Sequence, residues 1–242
     1  IIFSMTPKIE KKSIKQLALP LSFRSVKNHS NFILNKVNEI ALSLIDEFND
    51  IEKFKSNFNF PVLILYGPPG SGKTHLAHIY QEITDAKFIK KFNDINLNEA
   101  KSGKSFIFDD FDKIKSLNEN LFIHFFNEIV LNSGSLLIIT SKPPNEINFN
   151  LSDLQSRIRS CISTKIELPD DEFLFSILVK ELSEKKILLN DKLCLYIIKR
   201  IKRNYKSISF FAESLDIMSL EQKKKITLKQ IKEVLNIIEV NT

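Results

Sequence analysis

The run Val62-Leu63-Ile64-Leu65-Tyr66-Gly67-Pro68-Pro69-Gly70-Ser71-Gly72-Lys73-Thr74 joins an unbroken apolar pentad to a glycine-rich turn, and a helical pattern opens at Lys73. It fits G-x-x-x-x-G-K-[ST] between a strand and a helix, the order in which a phosphate-binding loop is built. Only 5 of 242 residues are glycine, about 2% against a usual share of about 7%. Gly67, Gly70 and Gly72 are three of those 5. A chain that nearly avoids glycine has gathered it where backbone N–H groups must turn inward around phosphate oxygens. Pro68, Pro69 and Ser71 complete the loop. Lys73 is placed to reach the β- and γ-phosphates of a nucleotide, ATP or ADP, and the Thr74 hydroxyl to ligate Mg²⁺. His75 follows directly and is counted with the phosphate-side residues. Its i, i+3 partner His78 suggests a metal pair, but no third ligand accompanies it, and both are read as helix residues.

Outward from this loop, apolar runs alternate with helical patterns. Phe88-Ile89, Phe106-Ile107-Phe108, Leu136-Leu137-Ile138-Ile139 and 162–168 read as further buried strands. A helix is expected over 36–49. Another lies near 121–130, with Leu121, Phe122, Phe125, Phe126, Ile129 and Val130 on one stripe. Alternation of this kind argues for a mostly parallel sheet covered on both faces. Beyond Pro169-Asp170-Asp171 no strand-like run remains, and helices are expected near 171–185, 191–203, 207–220 and 227–239. The reading is therefore an α/β P-loop core over 29–168, a small helical lid over 169–242, and a flexible tail over 1–28. Gly103 and Gly134 each precede a central strand, where the chain must reverse.

Ser105-Phe106-Ile107-Phe108-Asp109-Asp110 is an apolar strand ending in two acids, the Walker-B arrangement. Asp109 is a candidate Mg²⁺ ligand with Thr74, and Asp110 a candidate for orienting the attacking water. Acids at the C-terminal edge of an α/β sheet lie where ligands bind.

Composition narrows the class. A hydrophobic share of 43% and a charged share of 26% are ordinary for a globular protein. No apolar run approaches the roughly 18 residues of a membrane span, and no signal peptide is read, so no membrane partner is expected. Cys161 and Cys194 form no C-x-x-C, which fits a reducing compartment. The net charge of +6, from 35 Lys+Arg against 29 Asp+Glu, is spread over the chain and reads as a lysine-rich solvated surface. The basic stretch Lys199, Arg200, Lys202, Arg203 and Lys206 could touch phosphate, but a solvated helix face explains it as well.

Gly72-Lys73-Thr74-His75-Leu76, Asp109-Asp110, Thr140-Ser141-Lys142-Pro143-Pro144 and Leu154-Gln155-Ser156-Arg157 together resemble the AAA+ core of the DnaA-type replication initiators, over about 32–235. The resemblance implies that Ser141 stands at the sensor-1 strand end, and that Arg157 is an arginine finger offered to a neighbouring subunit's ATP. It implies that Lys206 stands at the sensor-2 position, where the family has arginine; lysine keeps the charge but loses the bidentate fork. Ile33 and Asn38 resemble the family's adenine-side segment. Gln16-Leu17-Ala18-Leu19-Pro20-Leu21 looks like the sliding-clamp-binding peptide of the family's regulatory inactivators: Gln16 for a pocket rim, with Leu17, Leu19, Pro20 and Leu21 for an apolar groove.

Only seven residues follow Leu235, so no initiator-type DNA-binding domain is expected after the lid. These resemblances imply a cytoplasmic, nucleoid-associated bacterial regulator. Its partners would be the polymerase sliding clamp and DnaA, with DNA reached indirectly through the clamp. It would act by promoting hydrolysis of DnaA-bound ATP, with weak turnover of its own. Two alternatives stay open: an autonomous AAA+ ATPase such as a helicase loader, and a non-catalytic nucleotide-bound interaction module.

Overall fold

The computed structural model describes residues 35–36, 38–114, 118–222 and 226–240. The 1–28 tail, the 16–21 motif and Ile33 lie outside the described residues. Five strands form one sheet: β1 Val62–Tyr66, β2 Lys87–Ile89, β3 Phe106–Phe108, β4 Leu136–Thr140 and β5 Ile162–Lys165. Their order is β2-β3-β4-β1-β5, and every pairing is parallel. Tyr66 pairs with Thr140 and with Lys165, so these strands end at one edge. The register Phe108↔Ile138 brings β3 to the same edge.

Apolar runs this continuous are expected where both sheet faces are covered. Val62 and Ile64 of β1 face one core with Phe106, Phe108, Leu136 and Ile138. Leu63 and Leu65 face the other with Ile107, Leu137 and Ile139. The period of two along a strand sorts the same run into two layers.

The helices are α1 Glu39–Asp46, α2 Ile51–Asn57, α3 Lys73–Thr84, α4 Leu97–Lys101, α5 Glu119–Leu131, α6 Ser152–Ser160, α7 Asp171–Glu184, α8 Asp191–Ile198, α9 Tyr205–Gln222 and α10 Leu228–Val240. Helix α5 sets its phenylalanine stripe on the first face. Phe125 meets Phe106 edge-on at 4.9 Å, and Phe122 meets Phe108 at 5.6 Å. Helices α1, α2 and α3 cover the second face, where Tyr80 is fully buried and its hydroxyl lies 2.5 Å from Ser135 Oγ. Helices α7 to α10 share a core of their own, including Leu178, Ile197, Phe211 and Ile231.

Several boundaries differ from the sequence reading. The helix expected over 36–49 is α1 followed by a 3₁₀ turn at Glu47–Asn49. Asp50 then caps α2 by accepting from the Lys53 N–H at 3.0 Å, and neither α2 nor α4 was expected. The last strand stops at Lys165 rather than 168, and α8 stops at Ile198 rather than 203. Asp170 does open α7, accepting from the Phe173 N–H at 2.8 Å. Gly134 has a second reason besides a reversal. A Cβ there would collide with the Lys104 carbonyl, because the turns before β3 and β4 pack backbone to backbone.

Phe125 has no exposed surface. Replacing it with alanine should cost about 3–5 kcal/mol in urea unfolding. Leu131, 78% exposed at the end of the same helix, should change by no more than about 0.5 kcal/mol on the same substitution. Equal losses at the two positions would contradict this placement of the stripe.

Candidate functional site

The C-terminal ends of β1, β3 and β4 release Gly67, Asp109 and Ser141 at one edge of the sheet. A cleft of about 410 Å³ opens there between that edge and the lid. Its core side is lined by Asn38, Pro69, Gly70, Ser71, Gly72, Lys73, Thr74, His75, Asp109 and Asp110; its lid side by Phe173, Ile177, Lys180, Glu181, Tyr205 and Lys206.

Gly67 leaves β1 at φ 148°, where a Cβ would strike the Ile166 carbonyl of the neighbouring chain segment. The loop can therefore turn only if this position has no side chain. Gly72, at φ 97°, then sets the start of α3 and leaves the helix N-terminus facing the cleft. Lys73 Nζ lies inside the loop and donates to the carbonyls of Gly67 at 2.7 Å and Pro68 at 2.8 Å. Burial lowers the Lys73 ammonium below its ordinary value, and the charges of Asp109, Asp110 and Asp112 oppose that.

Thr74 Oγ1 donates to Asp109 Oδ2 at 3.1 Å, joining residues 35 positions apart. These are two hard oxygen ligands beside a glycine cradle, a donor set that fits a divalent cation with a phosphate. Asp110 adopts the left-handed region at φ 53°. Its N–H donates to Asp109 Oδ1 at 2.9 Å, so the bend after β3 fixes the first acid's carboxylate. Among the described residues no cluster of three or more His, Cys, Asp or Glu is arranged to hold a metal by itself. His75 instead packs its ring 5.9 Å from Tyr205.

Asn38, Asp110, His75 and Lys206 line the cleft together with the loop. Asn38 Oδ1 accepts from the Asn35 N–H at 2.9 Å, which pins the chain entering α1. Ser141 does not line the cleft; its N–H donates to Asp112 Oδ1 at 3.1 Å, and its hydroxyl to Asp112 Oδ2. Arg157 does not line it either. Its Nε donates to Asp153 at 3.0 Å, its Nη1 to Asn127 at 2.7 Å, and the guanidinium sits over the Phe126 ring. In the basic stretch, Arg203 pairs with Asp171 at 2.7 Å and Arg200 stacks on Tyr196 at 3.7 Å.

The motif reading missed Glu181, Tyr205 and Asp112. Glu181 is 9% exposed as a residue; its carboxylate accepts from Tyr205 Oη at 2.6 Å and from Ser209 at 3.4 Å. Burial, and then that carboxylate, push the Tyr205 phenol above its ordinary value. One signal was present: an acid falls in the apolar stripe Leu174, Ile177, Leu178, Leu182, where a buried charge needs partners.

The fold and cleft define the class: a P-loop α/β protein of AAA+ architecture with a helical lid. A family model described as "Hda, lid domain" matches residues 170–235. The chromosomal replication initiator protein DnaA of Buchnera aphidicola subsp. Cinara cedri is 28% identical, over 96% of this chain and 57% of that relative. The chain thus spans little more than half of it. Domain III of Thermotoga maritima DnaA superposes with a TM-score of 0.68 at 21% identity, covering 86% of this chain and 95% of that one. AMPPCP-bound DnaA from Aquifex aeolicus gives 0.64 at 23% identity, covering 84% of this chain and 68% of that one. The chain is thus similar to DnaA-type AAA+ proteins, and its lid to the Hda lid domain.

Burial raises the Asp112 carboxyl, but the Ser141 and Thr140 hydrogen bonds outweigh it and hold it below its ordinary 3.8. The folded value is the lower one, so this contact contributes its full stability above pH 3.8 and loses it as pH falls through the folded value. The stability gap between wild type and Asp112→Asn, followed by urea unfolding, should therefore narrow on acidification. A gap that widens would reverse the assignment.

Proposed function

We propose that this chain is an adenine-nucleotide-binding regulator of bacterial replication initiation. The observation that carries the reading is the convergence of Lys73, Thr74, Asp109 and Asp110 on a cleft whose other wall is an Hda-type lid. Gly67, Gly70, Gly72 and the N-terminus of α3 would cradle the phosphates. Thr74 and Asp109 would hold Mg²⁺, which supplies charge neutralisation at the phosphates when bound. Lys206 would add a lid-borne cation to the phosphate side, and Asn38 would lie towards the base. A relative of this fold is the AMPPCP-bound initiator, which supports a nucleotide here.

The regulatory part rests on the resemblance to the family's inactivators. Gln16, Leu17, Leu19, Pro20 and Leu21 would dock on the DNA-loaded sliding clamp. Arg157 would be offered to the ATP of a neighbouring DnaA and promote its hydrolysis, a contribution on the order of 10³–10⁵ in rate for an inserted arginine. In the free chain Asp153 and Asn127 hold that guanidinium, so reaching a partner requires those bonds to exchange. The protein would act in the cytoplasm, where DnaA and the loaded clamp are found, and meet DNA through the clamp.

A second reading is favoured by the Thr74–Asp109 bond and the outward Asp110: an ATPase whose own turnover does the work, such as a helicase loader. Mixing the chain with clamp loaded on DNA and ATP-bound DnaA, and following ADP formation, separates the two. The regulator predicts acceleration that Arg157→Ala abolishes and that Gln16→Ala with Leu19→Ala removes together with clamp pull-down. Lys73→Ala should lose fluorescent-nucleotide binding at least tenfold in either case. DNA-stimulated turnover by the isolated chain, with no effect on DnaA, would overturn the regulator.

A further inference from the structure

Phe108 ends β3, and the chain turns at once through a one-turn 3₁₀ helix, Phe111–Lys113, with Asp110 at its N-cap. Side chains three apart eclipse in a 3₁₀ turn. The turn is closed by the Lys113 N–H donating to the Asp110 carbonyl at 2.9 Å. The two middle residues are anchored inward. Phe111 is 4% exposed and packs 5.7 Å from Phe108 and 5.3 Å from Phe122. Asp112 is bound by Ser141 from the end of β4. The two outer residues, Asp110 and Lys113, are left stacked over each other, and Lys113 Nζ lies 2.9 Å from Asp110 Oδ2. Hydrogen bonding and charge from that carboxylate raise the Lys113 ammonium above its ordinary value.

Asp110 stands between two spaces. With Asp109 it lines both the nucleotide cleft and an adjoining recess of about 390 Å³, whose other walls are Lys90, Lys91, Asn93, Lys113 and Ile114. Lys113 lines only the recess. One carboxylate oxygen of Asp110 is therefore engaged by a cation that lines the recess and not the cleft.

We propose that Lys113 is a positioning residue that draws the Asp110 carboxylate toward the recess and keeps this chain's own nucleotide hydrolysis slow. The inference rests on the reading of Asp110 as the acid that orients water. In that hydrolysis the water oxygen forms a bond to the γ-phosphorus, and the bond to the β–γ bridging oxygen breaks. A water proton passes to an oxygen acceptor, and ADP and inorganic phosphate leave. Asp110 must accept a hydrogen bond from that water, and the Lys113 ion pair occupies Oδ2 and fixes the orientation of the carboxylate, which leaves chiefly Oδ1 to accept. Because the pair is 63% and 61% exposed, solvent screens it, and the latch slows turnover by a modest factor rather than abolishing it.

The test measures phosphate release by the full chain at saturating MgATP, beside nucleotide binding followed with a fluorescent analogue. Lys113→Met, which keeps length but not charge, should raise kcat about two- to fivefold with KM unchanged. Lys113→Arg keeps the cation and should stay near the wild-type rate. Lys113→Met in an Asp110→Asn background should give no gain over Asp110→Asn alone. A Lys113→Met rate at or below wild type in a chain that still binds nucleotide overturns the latch and leaves the cleft reading standing. A gain that persists without the Asp110 carboxylate overturns it equally. A chain that binds no nucleotide overturns the cleft reading, and the latch with it.

Discussion

The hydrogen bond from Thr74 to Asp109 is the contact through which the two halves of the site are joined. It forms because β1 and β3, separated by β4, run parallel and end at the same edge of one sheet. Parallel order also requires helices as crossovers, and they bring the apolar faces of α3 and α5 against opposite sides of that sheet. The loop, the acids and the covering helices thus share one origin. A sheet with one strand reversed would carry Asp109 to the opposite edge and leave Thr74 without a partner.

The lid adds a different kind of constraint. It has its own apolar core, and it faces the P-loop across the cleft with Phe173, Ile177, Lys180, Glu181, Tyr205 and Lys206. Glu181 is the demanding one. A carboxylate buried beside a cleft that would receive phosphates is acceptable only because Tyr205 and Ser209 donate to it. Tyr205 also packs against His75 at the start of α3. The residue before Lys206 therefore links the lid's buried acid to the helix that carries Lys73, and any lid movement would disturb both ends of that link.

Much of this was legible from residue order. The loop, the Walker-B acids, the phenylalanine stripe and the change from strands to helices near Pro169 are local patterns, and each reads the same in isolation. The short helices were not legible. Helix α4 spans only Leu97–Lys101, and α2 only Ile51–Asn57; neither is long enough to show a sustained period. The overlong readings at 36–49, 162–168 and 191–203 failed at boundaries, where a capping side chain or a lost ladder partner, rather than periodicity, stops an element.

Arg157, Ser141 and Asp112 mark the same divide at the site. Residue order marked out Arg157 and Ser141, which stand on α6 and just after the end of β4. It could not show that Asn127, 30 residues earlier, and Asp153 hold the Arg157 guanidinium, or that Asp112 takes both hydrogen bonds of Ser141. The sequence by itself determined that a phosphate loop lies between a buried strand and a helix, with two acids ending another strand, because those signals are local in backbone geometry and hydrophobic period. Only the tertiary structure decided which acids, cations and lid groups face one another. Those pairings depend on strand order and crossover packing between residues far apart in the chain, and no local pattern encodes them.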